Sequence, residues 1–249
     1  LAASVGRASL NVFKRPRVAL FSTGDELVMP GEIAPAQMPP GSIYNSNRFF
    51  LKALLKRLGC EVSDLGILPD NLQQTQMAFQ NACEHHDLIL TSGGVSVGEE
   101  DHVKPAIQSL GELQLWSLAI KPGKPFAYGQ LNPHQKMTHF IGLPGNPVSS
   151  FVTFLLLARP FILKMQGVHA SSIQPYAMRA DFSWPKADKR REFLRVKRNA
   201  SGGLDLFDNQ GSGVLTSAVW AHGLVDNPPG NTIRPGDTVG FIPFFELMS

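Results

Sequence analysis

Cysteine is scarce in this chain: Cys60 and Cys83 are the only two among 249 residues. They are far apart, in no metal-ligand spacing, and each lies in or beside an apolar segment. This excludes a disulfide framework and a zinc ribbon and leaves two buried, reduced thiols as the expectation, as in a reducing cytoplasm. An excess of one charge is also missing. Lys and Arg number 23 against 20 Asp and Glu, and the net +3 is spread over both halves, so nucleic acid is excluded as a main partner. The densest basic stretch, Lys186 to Arg198, is broken by Asp188 and Glu192 and reads as a solvated strand face. Long apolar runs are absent too. Phe151 to Ala158 is the longest, and Arg159-Pro160 stops it well short of a bilayer span, so no membrane partner is expected. No HExxH spacing, internal repeat, low-complexity segment or signal-peptide pattern is read.

What is present is an alternation of strand-like and helix-like segments from Pro16 to Gly167. Strands are expected at about Val18–Ser22, Glu61–Gly66, Leu88–Thr91, Leu113–Leu118, Phe126–Leu131 and Met137–Ile141. Helices are expected at about Asn47–Leu58, Asn71–Glu84, Val103–Leu110 and Pro147–Met165. Such alternation gives an α/β domain over 16–169, a mostly parallel sheet with helices on both faces. Beyond Gly167 helical periodicity fades. Short alternating runs at Tyr176–Phe182, Glu192–Arg198, Leu204–Phe207 and Thr238–Ile242 are separated by Gly, Pro and Asn turns. A small all-β, barrel-like domain over 172–249 is the expectation, with residues 1–15 as a linker or remnant.

Chemistry concentrates where strands end. The buried-strand pattern Asp87-Leu88-Ile89-Leu90 runs into Thr91-Ser92-Gly93-Gly94-Val95-Ser96-Val97-Gly98-Glu99-Glu100-Asp101 and then a helix. Open α/β sheets bind ligands at that carboxyl edge. Glycines let the backbone approach a ligand, and N–H groups in such a turn attract anions. The closing acids repel a bare phosphate but suit a divalent cation between phosphate and protein. Gly142-Leu143-Pro144-Gly145-Asn146-Pro147-Val148-Ser149-Ser150 repeats the idea, with Asn146 and Pro147 fitting a helix cap and first position. Lys121-Pro122-Gly123-Lys124-Pro125 holds two lysines in stiff, non-helical backbone, suited to oxyanions. Ser22-Thr23-Gly24-Asp25-Glu26-Leu27 ends another strand in a glycine and acids. Tyr44-Asn45-Ser46-Asn47-Arg48 opens a helix, where Asn45 or Ser46 also serves as an ordinary cap.

Taken in order and spacing, STGDEL, IYNSNR, TSGGVSVGEEDHVKP, KPGKPFAYG and GLPGNPVSSF closely resemble the MoeA-like molybdopterin molybdenumtransferases, a family that includes the C-terminal part of gephyrin-type proteins. The resemblance runs from about Pro16 to Phe245. It implies a molybdopterin-binding, MogA-like α/β domain and insertion of molybdenum from molybdate into adenylylated molybdopterin, with release of AMP. It implies a divalent cation, usually magnesium, a homodimer in the cytoplasm, and other cofactor-biosynthesis enzymes as partners. On this reading Lys121 and Lys124 hold molybdate or phosphate oxygens, and Asp101 and Glu26, with Asp25 as a further candidate, hold the cation. Ser92, Gly93, Gly94, Ser96, Gly98, Asn45, Asn47, Pro144, Gly145, Asn146 and Ser149 bind the pterin substrate, the N–H groups of Gly93, Gly94 and the Gly145-Asn146 turn cradling its anionic part. Two departures stand out. The family carries further domains upstream, so a start at Leu1 without Met is expected of a cut before the α/β domain, leaving part of an active site. Asn45 stands where relatives often have Asp. Two alternatives remain: a molybdopterin adenylyltransferase, which shares the SGG turn, and a non-catalytic dimerisation or peptide-binding module.

Overall fold

The computed structural model describes residues 1–95, 102–169 and 173–248. Its first part contains β1 (Arg17–Thr23), β2 (Leu27–Val28), β3 (Ile43–Tyr44), α1 (Asn47–Arg57), β4 (Glu61–Leu68), α2 (Leu72–His85), β5 (Leu88–Ser92) and α3 (Val103–Leu110). It continues through β6 (Gly111–Trp116), β7 (Ile120–Lys121), β8 (Ala127–Leu131), β9 (Thr138–Leu143), α4 (Pro147–Thr153) and α5 (Arg159–Met165). The sheet order is β4-β1-β5-β9-β8-β6, with β4, β1, β5 and β9 mutually parallel and β8 antiparallel to both its neighbours.

Strand alternation sends successive side chains to opposite faces. Val18 and Leu20 of β1 join Leu88 and Leu90 of β5 on one side, under α1 and α4. Ala19, Phe21 and Ile89 join Phe79 of α2 and Ile107 of α3 on the other. Helices therefore cover both faces, as the alternation of segments requires. All five residues of β5 are buried, which is why its sequence is a run rather than an alternation. Cys60 and Cys83 are free and buried.

The segment Pro147–Met165, expected as one helix, is continuous but changes pitch. A π-helical stretch, Phe154–Ala158, separates α4 from α5 and ends just before Pro160, whose missing N–H breaks the regular ladder. With 19 residues and a mean hydropathy of 1.5 it is long and apolar enough to cross a membrane. Here, however, Val148, Val152, Phe154, Leu155, Ala158 and Ile162 are core residues.

The second part holds β10 (Tyr176–Arg179), β11 (Arg191–Arg198), β12 (Leu204–Leu206), α6 (Leu215–Trp220), β13 (Gly223–Asn227), β14 (Thr238–Pro243) and α7 (Phe244–Leu247). Strand order is β10-β14-β13-β11-β12. A bridge from Ala180 to Leu204 joins the two ends, so the sheet closes on itself around Leu194, Val196, Val225 and Phe241. The expected solvated face over Lys186–Arg198 is corrected here. β11 is a central strand with five consecutive buried residues, and Glu192 and Arg195 are each 1% exposed. Charged residues mislead where a barrel strand passes through a domain junction, because burial there is decided by what packs from outside.

The two parts share a core. Phe193, Leu224, Ile242, Phe244 and Leu247 pack in one cluster with Leu51, Leu55, Leu143 and Phe154, and the Phe151 and Phe244 rings meet edge-on at 5.3 Å. β7 leaves the α/β domain to pair in parallel with β11.

Candidate functional site

A cleft of about 1110 Å³ opens at the carboxyl ends of β1, β4, β5 and β9. Four loops meet there because parallel strands deliver their ends to one edge. Thr23 to Glu26 follow β1, Pro69 and Asp70 follow β4, Ser92 to Gly94 follow β5, and Pro144 to Asn146 follow β9. Tyr44 to Asn47, at the start of α1, form a further wall, and Gly213 from the β domain closes one side.

The SGG turn is shaped by Thr23. Gly93 has φ +96°, and a Cβ placed on it would lie 2.5 Å from Thr23 O and 2.6 Å from Thr23 Oγ1. Gly94 has φ +66°, with Thr23 Oγ1 at 2.8 Å from such a Cβ. Two loops thus touch backbone to backbone, which only glycine permits. The Gly93 N–H donates to Leu143 O at 2.9 Å and extends the sheet, so it is not free to cradle an anion. Likewise the Val148 N–H, in the first turn of α4, donates to Ser212 O of the β domain at 2.9 Å.

Asn47 ties three walls together. Its Nδ2 donates to Ser92 Oγ at 2.8 Å and to Gly145 O at 2.7 Å. Its Oδ1 is buried without a partner among the described residues, a condition that costs about 1–3 kcal/mol. Asn45, 2% exposed, accepts the Arg48 N–H through Oδ1 at 3.3 Å and so serves as a helix cap at the cleft.

Acids gather in the same cleft. Asp25 and Glu26 line the cleft, and so does Asp70, which the motifs had not singled out. Asp25 Oδ1 accepts the Asp70 N–H at 3.2 Å, and His102 Nε2 lies 3.4 Å from Asp70 Oδ1. The proximity follows from β1 and β4 being paired neighbours, Thr23 opposite Leu68. Among the described residues no group of three or more His, Cys, Asp or Glu forms a metal cage. Magnesium, however, is usually held by one or two carboxylates with substrate phosphates, and hard carboxylate oxygens facing a cleft fit that need. Asp101, Ser96 and Gly98 lie outside the described residues.

The lysines stand elsewhere than expected. Lys121 does not line the cleft: its Nζ lies 3.0 Å from Glu192 Oε1 and 3.3 Å from Asp188 Oδ2. Pairing of β7 with β11 turns it toward the junction, where two carboxylates already neutralise it. Lys124 is exposed, one residue before the cleft-lining Pro125. The sequence reading missed a third cation. Arg195 is buried behind Gly211–Gly213, with Nε donating to Ser217 Oγ at 3.2 Å and Nη2 to Gly211 O at 3.3 Å. Burial pushes its pKa down to about 10, and its bond to Gly211 O braces the segment that carries Gly213. Only the wrapping of the β domain reveals it.

Ser92, Gly93, Gly94, Asn45, Asn47, Pro144, Gly145, Asn146, Ser149, Asp25 and Glu26 are therefore brought to one cleft. Two family models match the chain: a probable molybdopterin binding domain over residues 19–164, and a MoeA C-terminal region, domain IV, over residues 177–244. A molybdopterin molybdenumtransferase of Haemophilus influenzae is 41% identical over all of this chain, which covers 61% of that protein. The molybdenum cofactor synthesis protein cinnamon of Drosophila melanogaster is 35% identical over 94% of the chain and 38% of its own length. The crystal structure of a molybdopterin biosynthesis MoeA protein from Pyrococcus horikoshii superposes with a TM-score of 0.79 at 30% identity, over 98% of this chain and 58% of that one. The chain thus spans between about two fifths and three fifths of the length of these relatives.

Proposed function

Because the chain belongs to the family that joins a molybdopterin-binding domain to a MoeA C-terminal region, we propose that its cleft holds adenylylated molybdopterin and serves insertion of molybdenum from molybdate, with release of AMP. The observation that carries this reading is the arrangement of the cleft itself. The hydroxyls of Ser92 and Ser149 and the carboxylates of Asp25, Glu26 and Asp70 line the same cleft. A diphosphate-bearing substrate asks for both, donors for its oxygens and acids for the cation that accompanies it.

In this mechanism Ser92 and Ser149 donate hydrogen bonds to phosphate oxygens, and the Gly94 backbone allows close approach of the ligand. Losing one such preorganised donor typically costs about 10²–10³ in rate. Asp25 and Asp70 would hold magnesium, with Glu26 and Asp101 as further candidates. Bound there, the ion would neutralise charge on the phosphoanhydride as it breaks. Lys124, exposed beside Pro125, supplies positive charge for molybdate, and Arg195 braces the Gly211–Gly213 segment at the cleft edge. Lys121 acts by anchoring the segment that carries Lys124. A matched C-terminal domain that contributes Gly213 to the cleft favours this reading over the adenylyltransferase. A cytoplasmic homodimer that works beside other cofactor-biosynthesis enzymes belongs to the same proposal.

Equilibrium titration with adenylylated molybdopterin tests it. A saturable isotherm that removal of magnesium weakens tenfold or more, about 1.4 kcal/mol, is expected, with AMP released once molybdate is added. Absence of binding with magnesium present overturns the reading.

A further inference from the structure

We propose that Asn47 is the positioning residue of this cleft, setting the direction in which the Ser92 hydroxyl donates and thereby making Ser92 a fixed donor for a phosphate oxyanion. The inference deepens the functional reading above and rests on it for the identity of the natural ligand, but its test does not.

Chemistry settles the orientation of the Asn47 amide. Gly145 O accepts and cannot donate, so the atom 2.7 Å from it must be the amide nitrogen. The second hydrogen of that nitrogen goes to Ser92 Oγ at 2.8 Å. Both donors of Asn47 are then committed, and one lone pair of Ser92 is filled. Ser92 is 3% exposed, and among the described residues nothing receives its own proton. Asn47 takes a lone pair and leaves the proton uncommitted, and Ser92 sits on the cleft wall at the end of β5, where that proton is available to a ligand.

The orphaned oxygen is the second observation. Asn47 is 8% exposed, and its Oδ1 has no partner among the described residues. A buried acceptor left unmet calls for an explanation. The cost is understandable if the two donors are what the position is kept for. They join α1, the SGG turn and the loop before α4, the three walls around the proposed phosphate position. The third wall is held through the Gly145 carbonyl, which accepts from Asn47.

A double-mutant cycle separates positioning from a merely structural part. The probe is inorganic pyrophosphate with magnesium, titrated calorimetrically into wild type, Asn47→Ala, Ser92→Ala and the double variant, each checked for a native melting transition. If Asn47 acts through Ser92, either single change weakens binding about tenfold, and Asn47→Ala adds less than twofold in the Ser92→Ala background. Asn47→Asp keeps the size but replaces the donors by acceptors, and weakens binding at least as much as Asn47→Ala. Additive losses overturn the proposal, as does a wild type that binds no pyrophosphate, or an Asn47→Asp that binds like wild type. If pyrophosphate binds with a non-additive cycle while adenylylated molybdopterin does not bind, the functional reading fails and the positioning role stands. If Asn47→Ala fails to fold, the soluble Asn47→Asp and Ser92→Ala variants complete the same cycle.

Discussion

Lys121 of the α/β domain places its Nζ 3.0 Å from Oε1 of Glu192, a β-domain carboxylate that is 1% exposed. The other oxygen of Glu192 accepts from Trp184 Nε1 at 2.7 Å and from Asn227 Nδ2 at 3.3 Å. Three of the four acceptor sites of this buried carboxylate are thereby filled, and the cation that touches it comes from the other domain. Losing one partner of such a group leaves the charge uncompensated. Lys121→Met, which keeps the apolar stem, is expected to destabilise the protein by about 1–3 kcal/mol, with Lys121 itself half-exposed and so at the lower part of that range. Urea unfolding followed by tryptophan fluorescence measures it. A variant as stable as wild type would mean that the strand pairing of β7 with β11 holds the junction alone.

Glycines that look alike in sequence differ in what surrounds them. Gly93→Ala meets the Thr23 carbonyl at 2.5 Å in a left-handed conformation, whereas Gly145→Ala meets nothing closer than Gly93 Cα at 3.8 Å. The first is expected to cost about 1–3 kcal/mol, and the second to stay within about 0.5 kcal/mol of wild type. Thermal melts of the two variants side by side decide it. Equal losses would show that the SGG turn does not press on Thr23.

Acid sensitivity has a nameable origin at the other end of β1. Burial alone would push the Asp87 carboxyl up, but the Arg17 side chain and N–H, joined by Lys136, outweigh it and hold the pKa at about 2. The Arg17 Nη2 lies 2.9 Å from Asp87 Oδ1. A carboxyl held below its unfolded pKa contributes stability above that value and loses it as pH falls through the folded one. The contribution is thus complete above about pH 5 and lost progressively toward about pH 1. Arg17 is nearly half exposed, so solvent screening limits the pair to at most about 1 kcal/mol. Arg17→Met should lower the melting temperature at pH 7 and approach wild type progressively below about pH 5. A gap that stays constant over that range would assign the effect to packing.

The acidic residues of the cleft offer a cleaner separation. Asp25 and Asp70 are exposed, so neutralising Asp70 as Asp70→Asn should leave stability within about 0.5 kcal/mol of wild type. Magnesium-dependent affinity for adenylylated molybdopterin should fall at least tenfold, read as the difference between titrations with and without the metal. An unchanged magnesium increment would move the cation to residues other than Asp70.

The sequence alone shows the long strands of the α/β domain and where the chemistry sits along the chain, whereas β13 (Gly223–Asn227) was not among the expected strands. Apolar runs such as Leu88–Leu90, ended by glycine turns, follow from local rules, since a strand buried on both faces has no polar alternative. It also determined the family, because five motifs in register leave little freedom. Asp70, on the other hand, carries no site signal in its own segment, where Asn71 caps α2 by accepting the Gln74 N–H at 3.0 Å. Its place beside Asp25 depends on β4 lying next to β1, a pairing that no local pattern encodes. The same holds for Lys121, drawn from the cleft to Glu192 by a two-residue strand, and for Arg195, buried in a stretch whose charges suggested solvent. Hydrophobic periodicity reports what a segment needs on its own faces. Which charge meets which is decided by non-local strand pairing and by the packing of the second domain on the first, and these exist only once the chain has folded.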